Sequence, residues 1–143
     1  MPDALILLSL LAVTASIFVW AQRAAVTTSD QKTVTAATVH EVGDVAALDE
    51  ALGSERAVLY KHSTRCPVSA VIIDEVLRFA ETHPDWKICV LNVIEQRHLS
   101  DDVSWRLGVR HESPQVFVVK GGRCVWHASH NEITVQSLSG QAV

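Results

Sequence analysis

One cysteine, placed where a strand hands over to a helix, constrains this chain more than any other feature. Ala57-Val58-Leu59-Tyr60 is a short apolar run that reads as a buried strand. Next comes Lys61-His62-Ser63-Thr64-Arg65-Cys66-Pro67-Val68-Ser69, and then Ala70 to Ala80, whose apolar residues recur at helical spacing. Pro67 suits the first helical position, because the N–H it lacks would have no intrahelical partner there. A sulfur at that point faces free backbone N–H groups and the positive end of the helix dipole. Lys61, His62 and Arg65 add positive charge nearby. These influences favour thiolate, the nucleophilic form of cysteine. Cys66 is therefore expected to be a redox-active nucleophile. The position three residues on is Ser69, so the site holds a single thiol with no Cys-X-X-Cys partner.

The remaining composition narrows the function classes. At 143 residues the chain has room for one ordinary domain. Its net charge of −4, with no block of basic residues, argues against a nucleic-acid partner. The three cysteines, Cys66, Cys89 and Cys124, are odd in number and unevenly spaced, which argues against a secreted disulfide framework. No His, Cys or carboxylate set has the spacing of a zinc site, so no metal is expected. Neither a repeat nor a Gly-rich phosphate loop is present.

Ala4 to Trp20 is almost wholly apolar, broken by Ser9, Thr14 and Ser16. As a helix it would span roughly 25 Å, near the lower limit for crossing a bilayer. Residues 1–22 read as a transmembrane anchor or as a cleaved signal segment. A signal segment wants positive charge before its apolar core. Here Asp3 precedes it, while Arg23 and Lys32 follow. That asymmetry favours an uncleaved anchor, with the domain on the cytoplasmic side. Residues 23–40 are polar, small and aperiodic, and read as a linker to a domain over 41–143.

Within that domain, Asp44 caps an expected helix over Val45–Leu52 that ends at Gly53, with Val45, Leu48 and Leu52 on its packed face. The helix after Cys66 runs to about Thr82 and stops before Pro84, with a stripe of Val68, Val71, Ile72, Val76 and Phe79. Lys87–Val93 is a continuous apolar run, the pattern of a strand covered on both faces. Cys89 inside it reads as a small core residue. Ser100 reads as the cap of the next helix, which ends at Gly108. Gln115–Val119 and Cys124–Ala128 form an antiparallel hairpin across Gly121-Gly122, since paired glycines supply the positive φ of a tight turn. A short last helix begins near Asn131–Thr134. Strand, helix, strand, helix and hairpin make an α/β domain with a mixed sheet of about four strands flanked by helices.

This order, with a cysteine at the first strand-to-helix junction, resembles the thioredoxin fold. Leu107-Gly108-Val109-Arg110 followed by Ser113-Pro114 resembles the segment of that fold where a cis-proline precedes a strand. A closer resemblance rests on three blocks. They are Tyr60-Lys61-His62-Ser63-Thr64 with Cys66-Pro67-Val68-Ser69, His111-Glu112-Ser113-Pro114-Gln115, and Trp126-His127-Ala128-Ser129-His130 with Ile133-Thr134. Together they resemble the monothiol bacilliredoxins, small thioredoxin-like proteins of the bacillithiol system. The family usually has Thr-Cys-Pro-Ile-Ser where this chain has Arg65-Cys66-Pro67-Val68-Ser69. The membrane segment, Cys89 and Cys124 also depart from it.

The resemblance implies a thiol-disulfide oxidoreductase in which Cys66 attacks mixed disulfides between proteins and bacillithiol. The expected partners are bacillithiol or a related low-molecular-weight thiol, acting as co-substrate with no cofactor, and S-thiolated client proteins. Pro114 would be the cis-proline, and Ser113 would offer backbone groups to the bound thiol. Arg65, Arg110, Lys61 and His111 are the candidates to meet the carboxylates of bacillithiol, since arginine pairs with carboxylates in bidentate fashion. His62 is expected to bond the active-site loop or position a thiol. Ser69, behind Pro67 in the first helical turn, is placed to donate to the Cys66 sulfur. The alternatives are a membrane-tethered binding module without turnover, and a glutaredoxin-like or peroxidase activity with another small thiol.

Overall fold

The structure is a computed structural model that describes residues 38–143. The readings of residues 1–22 as an anchor or signal and of residues 23–37 as a linker lie outside the described residues. Among the described residues, no helix is long and apolar enough to cross a membrane.

In chain order the elements are β1 (Val39–Glu41), α1 (Val45–Leu52), β2 (Arg56–His62), α2 (Pro67–Thr82), β3 (Lys87–Asn92), α3 (Arg97–Leu107), β4 (Gln115–Lys120), β5 (Arg123–Ser129) and α4 (Val135–Ser139), with a 3-10 turn over His130–Glu132 before α4. The sheet has five strands in the order β1-β3-β2-β4-β5. β1 and β2 both run parallel to β3, while β4 runs antiparallel to β2 and β5 antiparallel to β4. The mixed sheet is as expected, but it has five strands rather than about four. The extra one is β1, whose first two residues fall inside the stretch read as linker. Val39-His40-Glu41 is exposed at all three positions, so it carries no hydrophobic pattern to read. Its pairing with β3 makes it a strand.

Helices cover both faces. Ile72, Val76, Phe79 and Ala80 of α2 pack with Leu138 of α4 against Val58, Tyr60, Val116 and Val118. Leu48 and Ala51 of α1 pack with Leu99 and Val103 of α3 against Leu59, Leu91 and Phe117 on the other face. Three expectations about faces and caps are corrected. Val45, Val68 and Val71 are exposed, and Ala51 and Ala80 fill the buried positions instead. Val45 precedes the buried part of α1, and Val68 and Val71 lie on the outward side of α2, on either side of the buried Ser69. Ser100 does not cap α3. The helix starts one turn earlier, with Gln96 at the N-cap, and Ser100 is a buried interior residue.

Turn chemistry behaves as read. Gly108 takes φ 65 at the end of α3, and Gly121 and Gly122 take φ 54 and 69 between β4 and β5. Asp44 accepts the Ala47 N–H at 2.8 Å and caps α1.

Candidate active site

Cys66 is the N-cap residue of α2, with Pro67 following at the first helical position. Its sulfur is half-buried and carries no capping bond, so it stands free at the helix start. The loop that holds it is tied down from beneath. The Ser63 N–H donates to Ser69 Oγ at 3.0 Å. Tyr60 Oη donates to the Ser69 carbonyl at 3.0 Å and lies 3.1 Å from Ser69 Oγ. His62 Nδ1 lies 2.9 Å from the same hydroxyl. Burial pushes His62 below its ordinary pKa, which fits a neutral ring accepting the Ser69 proton. Burial pushes the Tyr60 hydroxyl up to about 12, so it stays protonated and able to donate. Ser69 is fully buried, and its hydroxyl is engaged by these three groups, not by the sulfur. The expected Ser69-to-Cys66 bond is thus replaced by a clamp. Its hub is Ser69, and Tyr60, which holds it, reads in the sequence as no more than the end of an apolar strand.

The second loop, Val109–Pro114, enters β4. Ser113-Pro114 is a cis peptide, as expected. Gln115, opposite Lys61 across β2 and β4, is buried and straps this loop. Its Nε2 donates to the Arg110 carbonyl at 3.0 Å, and its Oε1 accepts the Glu112 N–H at 3.4 Å. The Pro114 carbonyl accepts the His130 N–H at 3.0 Å. Since Gln115 pairs with Lys61, Pro114 comes level with His62, where the cysteine loop departs. β-pairing thereby brings the cysteine loop and the proline loop to one end of the sheet. The side-chain oxygen of Ser113 is enclosed and has no hydrogen-bond partner among the described residues.

The candidate cations separate into two groups. Arg65 and Arg110 are exposed and free to meet an anion. Lys61 is not, and its reading as a candidate to meet the carboxylates of bacillithiol is corrected. It is fully buried, with Nζ donating to the Ser100 carbonyl at 3.1 Å and to Ser104 Oγ at 3.2 Å. Burial pulls its pKa down to about 8 against the opposing pull of Asp101. His111 places Nδ1 at 3.2 Å from Ser100 Oγ. Partial burial and the nearby Lys61 charge push its pKa below the ordinary value, which favours the neutral ring. Beside the proline loop, a pocket of about 280 Å³ is lined by Arg110, Glu112, Gln115, His127 and Ser129 among others.

A family model described as monothiol bacilliredoxin BrxC matches residues 37–138. The chain belongs to the monothiol bacilliredoxin family. Among solved structures, one described as a candidate oxidoreductase with a thioredoxin fold is 29% identical, with a TM-score of 0.69 over 73% of this chain and 94% of that one. A thioredoxin from Trypanosoma brucei brucei is 14% identical, with a TM-score of 0.64 over 75% and 93%. A mutant thioredoxin from Halobacterium salinarum is 17% identical, with a TM-score of 0.61 over 74% and 88%. These last two bear on the fold alone. The fold is thioredoxin-like, and the bacilliredoxin has a thiol redox role. Its family implies a low-molecular-weight thiol and thiolated proteins as partners in general terms.

The other two cysteines of this bacilliredoxin stand apart from Cys66. Cys89 is buried on β3, level with Leu59 and on the face covered by α1 and α3. Cys66 begins α2, which covers the opposite face. Cys124 is level with Val119, and Val119 with Ala57, at the far end of β2. From Ala57 to His62 the strand runs roughly 16 Å, whereas a disulfide needs Cα atoms within about 7 Å. Burial also pushes the Cys89 thiol up to about 11 and raises that of Cys124. All three thiols are free.

Proposed function

We propose that this protein removes bacillithiol from S-thiolated proteins, with Cys66 as the nucleophile. The observation that carries the reading is the half-buried Cys66 sulfur, uncapped at the start of α2, with Cys89 and Cys124 both out of its reach. Helix N-termini favour thiolate. The Cys66 thiolate attacks the bacillithiol sulfur of a mixed disulfide. The S–S bond of the mixed disulfide breaks, the client leaves as a thiolate that takes a proton, and bacillithiol stays on Cys66 in a new disulfide. A second bacillithiol thiolate attacks the sulfur of that adduct. Cys66 thiolate is released, together with oxidised bacillithiol. Such exchange depends on thiolate fraction and on the leaving thiol's pKa. A resolving cysteine in the chain is unnecessary, because the small molecule supplies the second thiol.

Arg65 and Arg110 are the exposed cations proposed to meet the carboxylates of the small thiol, with His111, Ser113, Pro114 and Pro67 lining its approach. His62 and Ser69 hold the cysteine loop beneath it. Tethering to a membrane through residues 4–20, with the domain on the cytoplasmic side, is part of the same proposal and rests on the charge asymmetry around that segment.

The test is intact mass spectrometry of the full chain after exposure to a bacillithiol-blocked model protein, with wild type and Cys66→Ser run side by side. A bacillithiol adduct on wild type alone, together with release of the model thiol, is the expected result. No adduct and no release, with Cys66 still open to a general thiol reagent, would overturn the assignment.

A further inference from the structure

Among the described residues, Lys61 is the only buried side chain that ends in a charge. An ammonium in the core carries a desolvation cost that an apolar side chain of the same length avoids. Its surroundings meet that cost only in part. Nζ donates to the Ser100 carbonyl and to Ser104 Oγ, and stands 5.9 Å from the centre of the Phe117 ring. None of these partners is an anion, and among the described residues Asp101 on α3 is the one negative charge that bears on it.

The partners of Lys61 lead to the proline loop. Ser100 offers its carbonyl to Lys61 and holds its hydroxyl 3.2 Å from His111 Nδ1. Ser104 Oγ also donates to that carbonyl, at 3.2 Å, so Lys61 and Ser104 grip one turn of α3 together. The next residue on β2 is His62, which is bonded to the clamp under Cys66. Lys61 therefore stands between the two loops of the site.

We propose that Lys61 is a positioning residue: its buried ammonium holds Ser100 of α3 so that the Ser100 hydroxyl sets the ring of His111 on the loop leading to Pro114. With Nδ1 engaged inside, Nε2 is the ring atom left for a thiol partner arriving at Cys66. This role rests on the oxidoreductase reading but not on which small thiol is used.

The test uses the full chain and two blocked peptides, one carrying bacillithiol and one carrying glutathione. Discharge of the glutathione peptide alone would sink the bacillithiol assignment and leave the Lys61 comparison readable. Lys61→Met and Ser100→Ala are each expected to slow discharge about tenfold, and the double variant to be no slower than the slower single, since both act through one chain of contacts. The second readout is the His111 ring followed by NMR against pH. It faces Lys61 and Arg97, which disfavour its charged form, and Asp101 and Glu112, which favour it. Removing the Lys61 charge is expected to move its midpoint upward. Loss of packing alone would raise the midpoint too, by relieving the ring's desolvation. Ser100→Ala, which keeps the Lys61 charge, is therefore the control and is expected to raise it less.

Multiplying rate losses in the double variant, an unmoved His111 midpoint, or wild-type discharge by either single variant would overturn the proposal. Should Lys61→Met fail to fold, Ser100→Ala decides alone, because it keeps the carbonyl that Lys61 grips and removes only the hydroxyl. Discharge at the wild-type rate by that variant overturns the role.

Discussion

Tyr60 and Lys61 are neighbours on β2 and point to opposite faces of the sheet. Both are fully buried, and both carry a polar tip. Tyr60 reaches down to Ser69 and secures the loop that presents Cys66. Lys61 reaches Ser100 and, through it, the loop that presents Pro114. The difference lies in the cost. A phenol that keeps its proton is neutral and well suited to the core, whereas an ammonium must be desolvated while charged. One strand thus supports the cysteine loop cheaply and the proline loop at the expense of stability.

The sharpest way to break this comparison is alkaline titration of stability. The folded Lys61 pKa is about 8, against an ordinary 10.5. Between those values the unfolded chain keeps a proton that the folded chain has lost, so stability rises with pH, by about 3 kcal/mol if no other group intervenes. The Tyr60 pKa goes the other way, from an ordinary 10.0 to about 12. In that window the folded chain keeps a proton the unfolded chain has lost, and stability falls by a similar amount of about 3 kcal/mol. Urea unfolding at stepped pH should show the rise vanish in Lys61→Met and the fall vanish in Tyr60→Phe. A rise that survives in Lys61→Met would mean that its ammonium is not desolvated as described.

A smaller effect is expected at the Tyr60 clamp. Ser69→Ala leaves the Ser63 N–H, Tyr60 Oη and His62 Nδ1 short of a shared partner, and should cost about 2 kcal/mol in denaturant titration. Peptide discharge by Cys66 should slow as well, because the loop loses its tie. Unchanged stability would show that water replaces the hydroxyl and that the clamp is not closed.

The smallest effects belong to the other cysteines. Cys124→Ala should change stability by less than about 0.5 kcal/mol and Cys89→Ala by about 1 kcal/mol, the latter through a small core void. Neither should change discharge by Cys66. Loss of turnover in either variant, or an internal disulfide in wild type seen by peptide mapping, would contradict the separation that the strand register imposes.

Much of this is legible along the chain because it rests on local chemistry. Proline directly after Cys66 marks a helix start, and Gly121-Gly122 marks a two-residue hairpin, since each residue type restricts or frees its own backbone. Asp44 and Gly108 mark helix ends for the same reason. Lys61 reads as a cation open to a substrate because lysine usually lies outside and the apolar run closes at Tyr60. Carried two residues further, the period of two places Lys61 on the same face as Leu59, with no polar position between. Ser100 with two aspartates after it imitates a helix start, and only the packing of Leu99 and Val103 against the sheet shows that the helix has already begun.

The order of strands and helices, the single thiol at a helix start and the membership of a family with that arrangement all follow from residue types read in line, since each depends on neighbours a few positions apart. Three things required the folded chain: that β1 joins the sheet, that β2 and β4 bring the Cys66 and Pro114 loops to one end, and that Tyr60 and Lys61 each hold one of them. Each joins residues distant in the chain, through backbone pairing or through a buried polar atom that must find a partner, and burial that makes such a bond compulsory exists only after the layers have closed.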